Sequence, residues 1–506
     1  LFLTSYKIKD DSIFHITNIL ANVNSMNGFN ANSILKLIVG NFGYGTPLFY
    51  PILPHLFVAY LIKLFSLNVL VSIKLTYFII LFLSGLSLYY LALKLTKDNK
   101  KALLSSIIYM SFPYHLSEIY ARDALGECFV YVFLPIVILS LTYLFEDKDK
   151  FYLYFIIGYV GGMLSHLTLM VYFTVLLIPF FVIYRKKVFT KEIIKRLIVA
   201  SILLLLIMSP TIVHLFQNKL LGNYRVFVPG VMAQGIWHSG LYLQLINYLG
   251  VFNYLGLVDN SIFNIHFYFD LVALYLMIKT IKNRKKLKIY NKYKFICWLG
   301  FLSLLMASII FPWDLLPKSL RIIQFPWRLM TIVAIPFSII APQAINKIKV
   351  NYNYFIFLII LLSFFNTHCG YNETVDLNNL NYDLGMGWQK EYLSVNAFDN
   401  LDYLENRDNL IKCSTECNID DESNYPNIEF TVNGDSIIEL PRLYYLGYTL
   451  KNSDKEIINI YENDKGFIGA NVSSGSYTLK YTGTILDNIA SRISLLTILL
   501  YIFYII

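Results

Sequence analysis

The sequence predicts a polytopic α-helical membrane protein, and three observations carry that assignment. The 506 residues are 56% hydrophobic and only 15% charged, with a mean hydropathy of +0.54, unlike a water-soluble domain. Apolar runs close to the ~20 residues that a ~30 Å hydrocarbon core demands recur along the chain between short charged turns. Lys and Arg cluster in alternate turns, as they do in loops retained on one side of a bilayer. The net charge of +9 therefore reads as topology. A nucleic-acid partner is excluded, because the lysines sit between hydrophobic runs rather than among stacking or base-reading groups.

The chain opens at Leu1, and Leu1 to Leu3 read as the outer end of a first helix most of which is missing. Residues 4–51 form a first external loop in which Asp11, His15 and Ile19 recur at helical spacing, predicting a short helix along the membrane surface. The run 53–65 is short and carries His55 and Lys63, so it reads as interfacial or re-entrant, and 69–95 as the first complete span. Further spans are expected at 102–117, 128–145, 151–166, 168–184, 197–216, 262–281, 295–311, 329–345, 353–366 and 489–506. That gives about 11–12 in all with the truncated first one, and 241–257 is a weaker interfacial stretch. The basic turns 94–101, 146–150, 184–196, 279–294 and 346–349 are cytoplasmic by the positive-inside rule. Alternation then places 4–51, 113–127, 217–261, 312–328 and 367–488 outside.

Residues 1–366 accordingly form a membrane domain, 367–488 an extracytoplasmic soluble domain, and 489–506 a final membrane helix. Within the soluble part the short runs 428–432, 437–440, 444–450, 457–461 and 477–481 are divided by Asn433-Gly434, Asn463-Asp464 and Ser474-Gly475, which are hairpin signals. The domain is expected to pass from α/β to a small antiparallel β-sandwich over 427–483. Of the five cysteines, Cys128, Cys297, Cys369, Cys413 and Cys417, none forms a Cys-x-x-Cys pair, and no His cluster has zinc spacing, so no metal site is assigned. Cys413 and Cys417 could pair, although a four-residue spacing closes a small loop.

Chemistry concentrates in two places. Asp10 and Asp11 stand just outside the membrane, where most acidic residues are only solvated charges. Asp11 and His15 are four apart, however, and on a helix would share a face, so that a carboxylate beside an imidazole can take a proton from a hydroxyl. The downstream run Gly43-Tyr44-Gly45-Thr46-Pro47 to Pro51 resists regular structure and fits a rigid loop across a cavity mouth, bringing Tyr44 into the candidate site. The second place is 113–127, with Glu118, Tyr120, Arg122, Asp123 and Glu127 wedged between hydrophobic runs. Ionisable groups at that depth pair with one another or line a polar cavity. Arg122 could clamp a phosphate while a carboxylate holds it or contacts a sugar, against the plainer reading of a structural Arg–Glu pair. His166 and His214 are single imidazoles at outer helix ends, more simply packing residues, with His166 the stronger candidate. Arg321 and Arg328 flank a helix start beside Trp327, where arginine meets lipid phosphate.

Five motifs in order carry a resemblance to a known family. They are Asp-x-x-Phe-His at Asp11 to His15, Gly-Tyr-Gly-x-Pro-Leu-Phe-Tyr-Pro at Gly43 to Pro51, Tyr-x-Arg-x-Ala-Leu-Gly-Glu at Tyr120 to Glu127, Phe-Pro-Trp-Arg at Phe325 to Arg328, and Leu-Pro-Arg-Leu-Tyr-Tyr-Leu-Gly-Tyr at Leu440 to Tyr448. Over nearly its whole length the chain resembles the bacterial membrane proteins labelled 6-pyruvoyl-tetrahydropterin synthase-related, close to the YfhO-like proteins of the GT-C glycosyltransferase superfamily. The resemblance implies an enzyme of the bacterial plasma membrane. It would transfer a sugar from a polyprenyl-phosphate-linked donor to an extracytoplasmic glycopolymer, glycolipid or protein. The resemblance also ranks Asp11 ahead of Asp10 as the acidic residue of the first external loop. Thr17-Asn18 stand where family members carry an arginine, so phosphate binding would fall to Arg122 or Arg328, and Leu446 replaces a common proline.

The expected partners are the bilayer, the lipid-linked donor and the envelope acceptor. No cofactor is assigned, and a divalent cation is left open. No Gly-x-x-x-x-Gly-Lys-Ser/Thr loop is present, which fits a donor that carries its own phosphate leaving group. The competing expectations are a transporter or flippase of lipid-linked saccharides and a non-catalytic envelope-assembly scaffold.

Overall fold

A computed structural model describes residues 11–36, 41–228, 271–308, 311–317, 323, 325–348, 351–368, 390–421 and 425–505. The protein is mostly helical with a small C-terminal β region. Among the described residues four helices are long and apolar enough to cross a bilayer: Val69–Thr96, Leu125–Tyr143, Pro326–Lys347 and Ile485–Tyr504. A fifth is added if Lys191–Ile207 and Ser209–Leu221 count as one bent span. These helices make the chain a membrane-associated protein.

Several expected spans are shorter or broken. The run 102–117 is a helix only over Asn99–Met110, because Pro113 restarts the chain as the short helix Pro113–Ser117. The run 197–216 breaks at Met208, ahead of Pro210 at the start of the second helix. The runs at 53–65, 167–183, 294–307 and 352–363 are apolar helices of 10–17 residues. The stretch 241–257 lies outside the described residues.

The contacts divide the chain into two compact units, each assembled from separated segments. The first comprises Leu1–Ser12, Ile73–Leu204 and Met232–Val375. Its interior includes the antiparallel pair Leu125–Tyr143 and Lys148–Met163, which approach closely because Gly158 presents no side chain: a Cβ there would stand 2.7 Å from a Val137 methyl. Tyr109 donates its hydroxyl to the Tyr131 carbonyl at 3.0 Å, and the His115 ring stacks on Tyr131 at 3.7 Å between centres.

The second unit comprises Ile13–Ser72, Leu205–Val231 and Asp376–Ile506. Most of the 4–51 loop, which the sequence assigns to the membrane domain, thus groups from Ile13 onward with the C-terminal β region, whereas Asp11 and Ser12 group with the first unit. Among the described residues nine strands form two antiparallel sheets: β1 Lys412–Cys413, β2 Cys417–Asp421, β3 Ile428–Val432, β4 Ser436–Leu443, β5 Tyr448–Asn452, β6 Ile457–Ile458, β7 Ile460–Glu462, β8 Phe467–Val472 and β9 Gly475–Tyr481. One sheet runs β1-β4-β8-β7 and the other β2-β3-β9-β5-β6. Both bury side chains in one core with Ile34, Leu35, Phe42 and Tyr44 from the early loop. The Asn433-Gly434 turn does not close the expected hairpin but carries the chain from β3 in one sheet to β4 in the other, whereas β7 and β8 do pair, and the Asn463 side chain caps their turn by accepting from the Lys465 and Phe467 amides. Strand β8 has no alternating pattern because its residues are buried on both faces except Asn471. Cys413 and Cys417 are joined by a disulfide that ties β1 to β2.

The last helix, Ile485–Ile505, begins four residues earlier than expected, fixed by Asp487. That carboxylate caps the helix at the Thr484 amide, accepts from Gln217 Nε2 at 2.8 Å and meets His214 at 3.2 Å. His214 is therefore a packing histidine of this corner.

Gly466 closes the β7–β8 turn at φ +82°, where a Cβ would overlap buried Ala397. Gly466→Ala is expected to destabilise the second unit by about 1–3 kcal/mol. Limited proteolysis of the full chain would read this as faster cleavage within 390–485, and an unchanged cleavage rate would contradict the packing described.

Candidate functional site

The polar cluster lies within the first unit and grows from a break in helical structure. After the short Pro113–Ser117 helix the chain makes a five-residue π turn, Glu118–Arg122, and then Asp123 enters the left-handed region at φ 62°. Asp tolerates that conformation better than most residues, and here both its carboxylate oxygens are engaged. Oδ2 accepts from Ser12 Oγ at 2.7 Å and Oδ1 from the Tyr77 hydroxyl at 2.6 Å. Buried Asp123 thus anchors the turn, and the helix Leu125–Tyr143 starts immediately beyond, carrying Glu127 on its first turn.

Arg122 is the hub. Its Nη1 donates to Glu118 Oε1 at 2.9 Å, to Glu127 Oε1 at 3.3 Å and to the Tyr114 hydroxyl at 3.3 Å, while Nη2 donates to Asp11 Oδ2 at 3.2 Å. The Asp11 amide donates in return to the Arg122 carbonyl at 2.9 Å, so backbone and side chain clasp together. Glu127 Oε1 also accepts from Arg328 Nε at 2.8 Å, and its Oε2 from the Tyr114 hydroxyl at 3.0 Å. Arg328 sits on a short 3₁₀ turn begun by Pro326, donates Nη1 to the Ile323 carbonyl at 3.2 Å, and lies 4.8 Å from the Phe325 ring centre. His166 caps the helix Leu167–Leu176 through Nδ1, which accepts from the Leu169 amide. That places its proton on Nε2, 4.0 Å from Glu127 Oε1.

The residues expected at the site are therefore partly gathered. Asp11, Glu118, Arg122, Glu127, His166 and Arg328 come together, and Tyr120 rides half-buried on the same π turn. Its hydroxyl is pushed up to about 12 by burial. Asp10 and Arg321 lie outside the described residues. His15 and Tyr44 group with the second unit. The spacing argument paired His15 with Asp11, but His15 Nδ1 stands 2.8 Å from His55 Nε2, packed by Phe14 and Tyr50. Burial, and then the neighbouring His15, hold His55 well below the usual histidine range. Tyr44 is not a cavity-mouth residue: it is fully buried, its backbone pairs with Leu35, and its hydroxyl accepts from the Tyr392 amide at 3.1 Å. Tyr77 and Ser12 were missed, the first because a tyrosine in an apolar helix reads as ordinary packing.

Among the described residues no three His, Cys, Asp or Glu side chains gather as a metal set; the carboxylates here meet guanidinium groups instead. The cluster can hold negative charge on Asp11 and Glu127 against Arg122 and Arg328, with Glu118 in reserve. Glu118 is fully buried, and its Oε2 has no hydrogen-bond partner among the described residues. Burial pushes its carboxyl up to about 8, outweighing the Arg122 charge that pulls it down.

The fold and cluster define a membrane-associated, mostly helical protein with a buried charge network. A family model described as a family of unknown function (DUF6541) matches residues 5–251, which include Asp11, the π turn, Glu127 and His166 but not Arg328. No curated protein and no solved structure matches the chain.

Removing the hub by Arg122→Met would leave the buried Glu127 carboxylate to Arg328 alone and take from Glu118 and Asp11 their shared donor, and the expected loss is about 3–5 kcal/mol of stability. It would be measured as a lowered thermal midpoint in nanodiscs. Glu118 gives a pH dependence whose sign is fixed. Between the ordinary value of 4.5 and about 8 the folded protein keeps a proton that the unfolded chain has lost. Stability therefore falls as pH rises through that window and levels off above it. Glu118→Gln should flatten the slope, and equal slopes in variant and parent would refute the assignment.

Proposed function

We propose that the protein is a GT-C-type glycosyltransferase of the bacterial plasma membrane. In this reading it has about 11–12 spans, with the Asp11 cluster and the β region facing outward. It moves a sugar from a polyprenyl-phosphate donor to an envelope glycopolymer, glycolipid or protein. The resemblance of five ordered motifs to 6-pyruvoyl-tetrahydropterin synthase-related, YfhO-like proteins supports this reading.

One observation carries it furthest. Among the described residues of the cluster, the Asp11 side chain is 40% exposed while those of Glu118 and Glu127 are 0% and 2% exposed. A base must reach its substrate, and Asp11 alone of these three carboxylates can do so while Arg122 holds it in place. In the proposed step the acceptor oxygen attacks the anomeric carbon and its proton passes to Asp11. The bond from that carbon to the lipid phosphate oxygen breaks, and its electron pair leaves with the phosphate. Arg122 or Arg328 then stabilises the departing charge.

Transfer from a polyprenyl-phosphate sugar by membranes carrying Asp11→Asn should fall by about 10²–10⁴-fold, the usual contribution of a general base. Running the assay with and without a chelator tests the cation left open above. Unchanged transfer in Asp11→Asn would overturn the assignment of the base. Intact lipid-saccharide translocation without any transfer would favour the flippase.

A further inference from the structure

An apolar cavity of about 710 Å³ lies elsewhere in the first unit, among the helices Leu271–Lys282, Lys294–Ala307 and Met330–Ile340. Its walls include Met277, Phe301, Leu304, Val333, Phe337 and Ile340. The floor is set where Gly300 approaches Pro336, since a Cβ on Gly300 would stand 3.0 Å from the proline ring. One end of the cavity is lined by Arg284, Lys285 and Lys288, all exposed, in the turn after the first of these helices. None of the lining residues belongs to the Asp11 cluster.

The charge pattern around that end is one-sided. Residues 271–313 contain eight Lys or Arg and no Asp or Glu. A run of this kind beside a membrane attracts anionic headgroups, and pockets between helices at the basic side hold them. The apolar lining grades into exposed apolar surface: Phe301 is 56% exposed and Leu304 42%. A free phosphate would engage only the basic rim and leave the apolar walls in water. An amphiphile satisfies both parts, and the volume is that of an ordinary small-molecule site.

We propose that this groove binds an anionic phospholipid, with its phosphate on Arg284, Lys285 and Lys288 and an acyl chain along Phe301 and Leu304. The proposal is independent of the glycosyltransferase reading, because it concerns other residues and its test needs no activity.

The full-length protein, reconstituted with an equal mixture of phosphatidylglycerol and phosphatidylcholine and released for native mass spectrometry, should retain phosphatidylglycerol about tenfold over phosphatidylcholine. The triple variant R284Q/K285Q/K288Q, altered only at exposed positions, should lose that preference and remain folded. Leu304→Trp, which fills the groove while leaving the charges intact, should reduce retention of the anionic lipid. Millimolar inorganic phosphate should not displace it. Equal retention of the two lipids, an unchanged preference in the triple variant, or undiminished retention by folded Leu304→Trp would each overturn the site. Displacement by phosphate would assign the rim to a soluble anion instead.

Discussion

Glu127 shared between two guanidinium groups is the constraint on which the first unit depends. A charge buried among apolar helices is tolerated only when its partner is brought to hydrogen-bond distance, and the partners here come from sequence positions far apart. Each arrives through an irregular piece of backbone: the π turn delivers Arg122, and the proline-led 3₁₀ turn delivers Arg328. Asp123 holds the first of these irregular pieces through Tyr77 and Ser12. Regular helices could not place these groups as they stand, so the departures from helical geometry and the charge network require one another.

The second unit meets a different demand, the closing of an aromatic core by segments from three parts of the chain. Phe42 gives its carbonyl to the Leu443 amide, Tyr425 reaches the Leu35 carbonyl at 2.7 Å, and Tyr445 reaches that of Tyr392 at 3.0 Å. Tyr224 stacks on Tyr445, and Phe49 on Tyr392. Tyrosine suits this role because one end of the ring packs while its hydroxyl finds a backbone partner. The abundance of tyrosine thus has a structural use here beyond a membrane-interface belt.

Much of this was legible in the sequence, to a degree set by physics. Long apolar runs such as Val69–Thr96 announce themselves by composition, and the β7–β8 hairpin at Asn463 by turn chemistry, whereas the same signals at Asn433-Gly434 and Ser474-Gly475 mark crossings between the two sheets. The charges at 118–127 stood out because apolar surroundings make them costly, and the structure gathers them with Asp11 and Arg328. What failed was inference from local spacing. Asp11 and His15 are four residues apart, yet their partners are Arg122 and His55, chosen by tertiary packing that periodicity does not encode. Tyr44 looked like a loop residue because its neighbours are Gly and Pro, whereas those residues bend the backbone to insert the ring into a core. Strand β8 was invisible because burial on both faces erases alternation.

The discontinuous make-up of the second unit sets an order of events during synthesis. Its early segment, ending at Ser72, has most of its core partners beyond Asp376. At about 5–20 residues per second the ribosome needs on the order of 15–60 s to cover the intervening stretch. During that interval Phe42, Tyr44 and their neighbours have no sheet to pack against. The nascent chain must carry this aromatic stretch without its sheets until the last quarter of the chain emerges.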